Sequence, residues 1–197
     1  MWTMTDPTPD EAEERLVSLL NEACCALMLS VGHRTGLLDT LGAASAPLTT
    51  GDLAERSGQQ ERYVREWLGA MTVARIVAHD PEFGTYRLPD AHTDLLTRNG
   101  TADLSAYAQY VSVFGAVEDQ IVACFTDGGG VRYDAYPRLH EVLEEDSAQT
   151  VVQALDDILP SLDPELPGRL EVGIDVLDVG CGRGRALLNL AARYPRS

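Results

Sequence analysis

The sequence predicts a mainly α-helical chain that ends in the beginning of an α/β domain. Over most of residues 9–160, apolar side chains recur every three or four positions, which is the period of amphipathic helices. Near the end, the apolar run 174–179 has the composition of a buried strand. A glycine follows at every second position, and the stretch 186–194 then favours a helix that stops at Pro195. A strand that turns through glycines into a helix is typical of α/β domains.

The composition is strongly acidic. The chain has 15 basic residues, all of them arginine, and 31 acidic residues, for a formal net charge of −16. Such a surface repels phosphate backbones and anionic membranes. We therefore expect neither nucleic acid nor a membrane as a partner. We also expect no signal peptide and no segment apolar enough to span a membrane.

The four cysteines do not form a pattern of disulfides or metal ligands. They are Cys24, Cys25, Cys124 and Cys181, and none belongs to a Cys-x-x-Cys pair. The adjacent Cys24 and Cys25 cannot easily bridge each other. Reduced thiols of this kind indicate a cytoplasmic protein.

The chain opens with a helix start signal. Thr8 is the expected cap, Pro9 takes the first helical position and Glu11 the third. Apolar side chains follow at helical spacing, namely Leu16, Leu20, Ala23, Cys24, Leu27 and Val31. This stripe fits either a core-facing surface or a dimer seam. Gly32 and Gly36 are expected to interrupt the pattern before a short helix at 37–41.

Two helices and a hairpin are predicted next. Thr49 and Asp52 can cap the first helix, which Gly58 ends. The second helix, 61–74, has the inward-facing positions Val64, Trp67, Leu68 and Met71. Strands are expected at 75–79 and 85–88. Helix, turn, helix and a two-stranded hairpin together form the pattern of a winged helix.

The charge of this winged-helix pattern argues against DNA binding. Residues 49–98 contain six arginines and eight acidic residues, a net charge of −2. Phosphate contacts supply most of the non-specific affinity for DNA, and this segment has little positive charge to make them.

A helical connector follows. The stretch 101–125 predicts one helix, 127–130 a flexible turn, and 137–159 further helical segments. Pro160, Pro164 and Pro167 are expected to mark the joint to the next domain. The predicted organisation is therefore a winged-helix-like segment at 1–98, a connector at 99–170 and the start of an α/β domain at 171–197.

The spacing of the C-terminal glycines narrows the choice of ligand that the loop could bind. The dinucleotide fingerprint would need a glycine where Arg185 stands, and no lysine is present for a phosphate loop. The sequence Asp178-x-Gly180-x-Gly182-x-Gly184 instead closely resembles motif I of the class I S-adenosylmethionine-dependent methyltransferases. The resemblance implies that Gly180, Cys181, Gly182 and Gly184 pack against the amino-acid part of the cofactor. It also places Asp178 opposite the cofactor's ammonium group, which a carboxylate can neutralise. Cys181 itself fits either a reactive thiol or a small packing residue.

The order of segments resembles bacterial and archaeal methyltransferases that carry an N-terminal winged-helix domain. In such enzymes this domain serves dimerisation and covers the substrate site. The resemblance implies a Rossmann-like cofactor domain, S-adenosyl-L-methionine as cofactor, a small-molecule methyl acceptor and a homodimer. Tyr133 matches a tyrosine that reaches over the cofactor's carboxylate in related enzymes, although a packed aromatic is an equal alternative. His140 fits a general base or a solvated side chain.

No catalytic residue can be assigned from the sequence, and no metal site is expected. His33, His79 and His92 have no spacing that indicates one. No serine–histidine–aspartate arrangement can be argued. Two other functional hypotheses stay open, a winged-helix transcriptional regulator and a dimerisation module without activity.

The chain is shorter than the predicted cofactor domain needs. A parallel sheet requires several strands, and only one is predicted here. The acidic residue that would hold the cofactor's ribose is expected about 20 residues past the glycines. We therefore expect the chain to be the N-terminal part of a longer enzyme and to be inactive alone.

Overall fold

The structure, a computed structural model, describes residues 6–197. The chain divides into two compact units, residues 1–112 and 113–197. The first five residues of the predicted segment 1–98 lie outside the described part. The predicted segments 1–98, 99–170 and 171–197 were defined by their expected functions and not by compactness, and this division stays a prediction.

The first unit is helical with a small sheet. Its elements are α1 (Pro9–Thr35), α2 (Leu37–Gly42), β1 (Leu48–Thr49), α3 (Thr50–Ser57), α4 (Glu61–Val73), β2 (Ala78–Asp80), β3 (Thr85–Arg87), α5 (Asp90–Leu96), α6 (Leu104–Tyr107) and α7 (Gln109–Gly115), which crosses the boundary to the second unit. The sheet is antiparallel in the order β1-β3-β2, with Leu48 and His79 both opposite Tyr86.

The predicted start of α1 is confirmed, but its end is not. Thr8 and Glu11 form a capping box, in which the Glu11 amide donates to Thr8 Oγ1 at 3.3 Å and the Thr8 amide to Glu11 Oε2 at 2.8 Å. The helix continues through Gly32 and ends only at Gly36, which has a left-handed φ of 72°. Gly32 is needed for packing. A Cβ at this position would lie 2.5 Å from Cζ2 of Trp67.

The core of the first unit lies between α1, α2, α3, α4 and the sheet. The inward positions predicted for α4 are confirmed, because Val64, Trp67, Leu68 and Met71 are buried. The Trp67 indole N–H donates to the Met28 carbonyl of α1 at 2.8 Å, so its polar group is satisfied. The predicted cap of Thr49 and Asp52 and the helix end at Gly58 are also confirmed.

The predicted hairpin forms with shifted bounds. Residues 75–77 were expected in the first strand but complete the turn after α4. Arg75 has a left-handed φ of 60°, and the amides of Ile76 and Val77 donate to the Met71 carbonyl at 2.9 and 3.1 Å. These donors are therefore unavailable to a strand. The short β1 strand was not predicted, because two residues show no alternating pattern.

The expectation that no segment could span a membrane is wrong for α1 by length and composition. This 27-residue helix contains a window of mean hydropathy 1.4, of which only 17% is buried. The core helix of a soluble protein can have the same composition. The exposed apolar residues of α1 are Leu16, Val17, Leu19, Leu20, Leu27 and Val31.

The second unit contains short helices. They are α8 (Glu118–Asp127), α9 (Leu139–Ser147), α10 (Leu155–Leu162), α11 (Leu166–Val172) and α12 (Arg185–Arg193), with a 3₁₀ turn at Tyr133–Ala135 and a π-helical turn at Ala148–Val152. Its buried apolar residues are Val113, Val117, Leu139, Val142, Leu155, Leu159 and Leu170.

Two predictions for the connector are corrected. The single helix expected at 101–125 is three helices, interrupted at Ala108 and at 116–117, where the amide of Val117 donates to the Phe114 carbonyl in a tighter turn. Pro160 lies inside α10 and Pro167 in the first turn of α11, so only Pro164 stands between helices. A proline in a first turn removes no helical hydrogen bond, which explains why Pro167 is tolerated.

The strand expected at 174–179 is not present in the described residues. Residues 173–178 have no regular structure, and Leu177 and Val179 are exposed. A strand forms only by pairing its backbone with a neighbour, and within residues 6–197 this segment has none. The helix predicted after the glycines is confirmed as α12. The architecture is thus a mainly helical chain with a winged-helix unit, and its α/β part stays a prediction.

Candidate functional site: the glycine loop and its cavity

The glycine loop, residues 180–184, has a backbone that requires glycine at alternate positions. Gly180, Gly182 and Gly184 have left-handed φ values of 86°, 55° and 75°. A side chain at any of these positions would strain the backbone. Nothing lies within 4 Å of the position of an added Cβ at any of the three. The glycines therefore serve the turn and leave open space beside the loop.

The loop leads directly into α12. Gly184 is the N-terminal cap of this helix, and its amide donates to the Cys181 carbonyl at 2.8 Å. At the other end, Arg193 holds Asp156 of α10 through two hydrogen bonds of 2.6 and 2.8 Å. This pairing raises the pKa of the Arg193 guanidinium. The helix behind the loop is thus tied to the body of the unit.

A cavity of about 320 Å³ lies beside the loop. Its lining residues are Tyr133, His140, Leu143, Glu144, Ser147, Val151, Asp178, Gly180, Cys181, Gly182, Arg183, Arg185 and Ala186. Five of the six predicted site residues therefore line one cavity, in the company of His140. Gly184 is the exception, because it caps α12 and is not part of the lining.

Three predicted side chains supply the cavity with distinct chemistry. Asp178 is half-buried, and within residues 6–197 its carboxylate has no hydrogen bond or ion pair. Tyr133 and His140 contact each other edge to face, with ring centroids 4.9 Å apart and an interplanar angle of 71°. The cavity therefore offers an unpaired carboxylate to a cation, and a phenol and an imidazole as hydrogen-bonding groups.

Sequence reasoning missed the residues that α9 brings to the cavity. Glu144 Oε2 accepts a hydrogen bond from Arg183 Nη1 at 2.6 Å, and its Oε1 lies 3.8 Å from Arg185 Nη1. Ser147 and Val151 come from the end of α9 and from the π-helical turn. Such turns often occur at functional sites. Two arginines, one in the glycine loop and one directly after it, were the available signal for an acidic neighbour, but no spacing pointed to Glu144.

Residues 23–98 match the family model of the Rv2258c-like winged helix-turn-helix domain. This part of the chain is similar to winged helix-turn-helix domains of that type, and the match covers less than half of the chain. A comparison with curated protein sequences finds no match.

The whole described fold is similar to solved methyltransferase structures. Human N-acetylserotonin methyltransferase in complex with SAM has 18% identity and a TM-score of 0.54, with 99% of this chain and 59% of the human chain covered. An O-methyltransferase family protein from Burkholderia thailandensis has 13% identity and a TM-score of 0.58, covering 98% and 55%. The mitomycin 7-O-methyltransferase MmcR has 17% identity and a TM-score of 0.54, covering 93% and 56%. At these identities the likeness establishes the fold, and the chain spans less than two thirds of the length of each of these structures.

One arginine on the helix that would face DNA is paired with an acidic side chain. On α4, which would be the recognition helix, Arg65 Nη2 is paired with Glu61 Oε1 at 2.7 Å. The side chains Val64, Leu68 and Met71 face the core. That this domain does not bind DNA stays a prediction from the charge of residues 49–98.

The first unit contains a buried polar cluster that sequence reasoning did not find. His33 Nδ1 lies 3.2 Å from Asp103 Oδ2 and 3.0 Å from Ser105 Oγ, while its Nε2 lies 3.1 Å from Arg98 Nη2. Burial alone would raise the pKa of the Asp103 carboxyl. Hydrogen bonds with His33 and Ser105, together with the charge of Arg98, have the opposite and larger effect, so its pKa lies below the usual value. A hydrolytic triad needs the serine and the aspartate on opposite imidazole nitrogens. Here both face Nδ1, so the cluster is a structural link between α1, α6 and the loop before α6.

No group of three or more histidine, cysteine or acidic side chains within residues 6–197 could hold a metal ion.

Proposed function

We propose that this chain is part of an S-adenosylmethionine-dependent methyltransferase that acts on a small molecule. The observation that carries the proposal is the cavity, in which an unpaired Asp178 carboxylate lies beside a loop of left-handed glycines. The fold supports it, because the similar structures are methyltransferases and one was solved in complex with SAM. Residues 171–197 are then the beginning of a Rossmann-like cofactor domain.

Five of the lining residues have a role in binding the cofactor that their chemistry permits. Asp178 pairs with the ammonium group of S-adenosylmethionine, a charge-assisted contact that desolvation strengthens. The backbone at Gly180, Cys181 and Gly182 approaches the amino-acid part of the cofactor, since no side chain fills the space beside the two glycines. The Tyr133 phenol donates a hydrogen bond to the cofactor's carboxylate.

In methyl transfer the main contribution of the protein is to position the methyl acceptor against the cofactor. The cofactor supplies an already activated methyl group, and in-line alignment of the acceptor contributes much of the acceleration. A base is needed only when the acceptor is a poor nucleophile. His140 is the imidazole in the cavity and is assigned this role.

We propose that the winged helix-turn-helix domain serves dimerisation. The exposed apolar stripe of α1 supports a homodimer, because such surfaces mark interaction sites. The four unpaired cysteines support a cytoplasmic location.

Calorimetric titration with S-adenosylhomocysteine tests the proposal, with protein produced from its intact gene. Replacing Asp178 by Asn should weaken binding about 10- to 100-fold, because it removes a hydrogen bond to a charged group. Gly180→Val should abolish binding, since it forces a β-branched residue into a left-handed conformation and fills the approach to the backbone. Asp175→Asn is the matched control, because this exposed carboxylate lies three residues earlier and does not line the cavity.

Three outcomes would contradict the proposal. The proposal would be wrong if folded wild-type protein did not bind S-adenosylhomocysteine at high micromolar concentration. A stable dimer that binds neither cofactor nor DNA would favour the dimerisation module, and DNA binding with a steep salt dependence would favour the transcriptional regulator.

A further inference from the structure

The carboxylate of Glu144 brings the formal charge of the cavity lining to zero. Its formally charged lining residues are Asp178, Glu144, Arg183 and Arg185, whose charges sum to zero at neutral pH. Asp178 is unpaired, whereas Glu144 holds Arg183 at 2.6 Å and approaches Arg185 at 3.8 Å. Without the Glu144 carboxylate the lining would carry a net charge of +1.

Glu144 is placed to act on both arginines at once. Its side chain is only 25% exposed, while those of Arg183 and Arg185 are 56% and 50% exposed. The carboxylate comes from α9, and both arginines come from the loop and the first residue of α12. A contact between a helix and a loop of positive-φ glycines restrains the part of the backbone that has the most conformational freedom.

We propose that Glu144 is a positioning residue that tethers the glycine loop and keeps the cavity from repelling a cationic ligand. The ligand side of this inference rests on the proposed function. S-Adenosylmethionine carries a sulfonium cation that S-adenosylhomocysteine lacks, so the two ligands differ by one charge at one atom. Charges that line one cavity lie within about a Debye length, about 8 Å at physiological ionic strength, and therefore act on that cation.

The first experiment measures the tether without any ligand. Glu144→Gln removes the charge and keeps the side-chain shape. Hydrogen exchange should then accelerate about two- to fivefold at the amides of Gly184 and Leu188, which are hydrogen-bonded at the junction of loop and helix. Glu141→Gln is the control, because Glu141 is one turn earlier on α9 and pairs with Arg138 outside the cavity. Equal exchange in wild type and Glu144→Gln would overturn the tether.

The second experiment measures charge balance through the ratio of two affinities. Glu144→Gln should weaken S-adenosylmethionine binding about two- to fivefold more than S-adenosylhomocysteine binding. A merely structural role would weaken both equally. The double variant Glu144→Gln/Arg183→Gln restores a net lining charge of zero and should restore the wild-type ratio. An unchanged ratio in Glu144→Gln would overturn the charge-balancing role.

The two experiments separate this inference from the proposed function. If wild-type protein binds neither ligand, the proposed function fails, and the exchange measurement still decides whether Glu144 tethers the loop. Circular dichroism of each variant shows whether it has folded. A folded Glu144→Gln variant with wild-type exchange and a wild-type affinity ratio would refute both parts.

Discussion

Gly32 lies inside α1 and packs against Trp67 of α4, and its replacement by Ala tests how the first unit is packed. An added Cβ would lie 2.5 Å from Trp67 Cζ2 and 3.0 Å from Cε2. Real Cβ atoms do not come so near, so the ring or the helix must move. Trp67 has little room to do so, because it is 3% exposed and its indole N–H is bonded to the Met28 carbonyl at 2.8 Å.

The size of the effect follows from two opposing terms. Overpacking a core by one methyl group costs about 1–3 kcal/mol. Alanine in a helix interior regains about 0.8–1 kcal/mol relative to glycine. We therefore expect Gly32→Ala to lower the free energy of unfolding by up to about 2 kcal/mol, and more if the indole hydrogen bond breaks, because a lost hydrogen bond adds about 1 kcal/mol.

Gly69→Ala is the matched control on the facing helix. Gly69 is exposed within α4, and an added Cβ would meet nothing within 4 Å. This variant should gain up to about 1 kcal/mol from helix propensity alone. Urea unfolding followed by tryptophan fluorescence gives both values, and the signs should be opposite. If Gly32→Ala were as stable as Gly69→Ala, the close packing of α1 on Trp67 would be refuted.

Two further predictions concern the first unit. Because the pKa of Asp103 is lowered in the fold, its carboxylate stabilises the fold above the ordinary aspartate pKa of about 3.9, and this stabilisation is lost as the pH falls toward the lowered value. Unfolding of wild type should therefore depend more steeply on pH than unfolding of Asp103→Asn below about pH 4, and parallel profiles would contradict this. Leu20, which is 67% exposed on α1, should be essential to the proposed dimer, so Leu20→Glu should sediment as a monomer. The control Phe83→Glu, on the exposed hairpin turn, should not change the sedimentation, and a monomeric wild type would exclude the dimer.

Local signals in the sequence predicted most of the first unit. The caps at Thr8 and Thr49 and the inward face of α4 depend on residues three or four positions apart, so their pattern is visible along the chain. The glycine loop was visible for the same reason. The start of the hairpin was misplaced because the amides of Ile76 and Val77 bond back to α4, which composition does not reveal.

Contacts between distant residues could not be read from the sequence. Glu144 meets Arg183 across 39 positions, and His33 meets Asp103 across 70. In neither pair does the spacing along the sequence indicate that the two residues are in contact. The strand expected at 174–179 failed for a related reason, because apolar composition favours a strand but only a paired neighbour forms one.

The exposure of α1 has a consequence for its helix–coil equilibrium. Residues 9–24 bury no side chain, and the buried positions of the helix are Ser30, Gly32 and His33 near its C-terminal end. An isolated helix of about 15 residues is marginal in water even with favourable residues. The N-terminal half of α1 therefore depends on its capping box and on propagation from the anchored end. Any surface that covers this half also shifts its helix–coil equilibrium, so helix content measured by circular dichroism would report association directly.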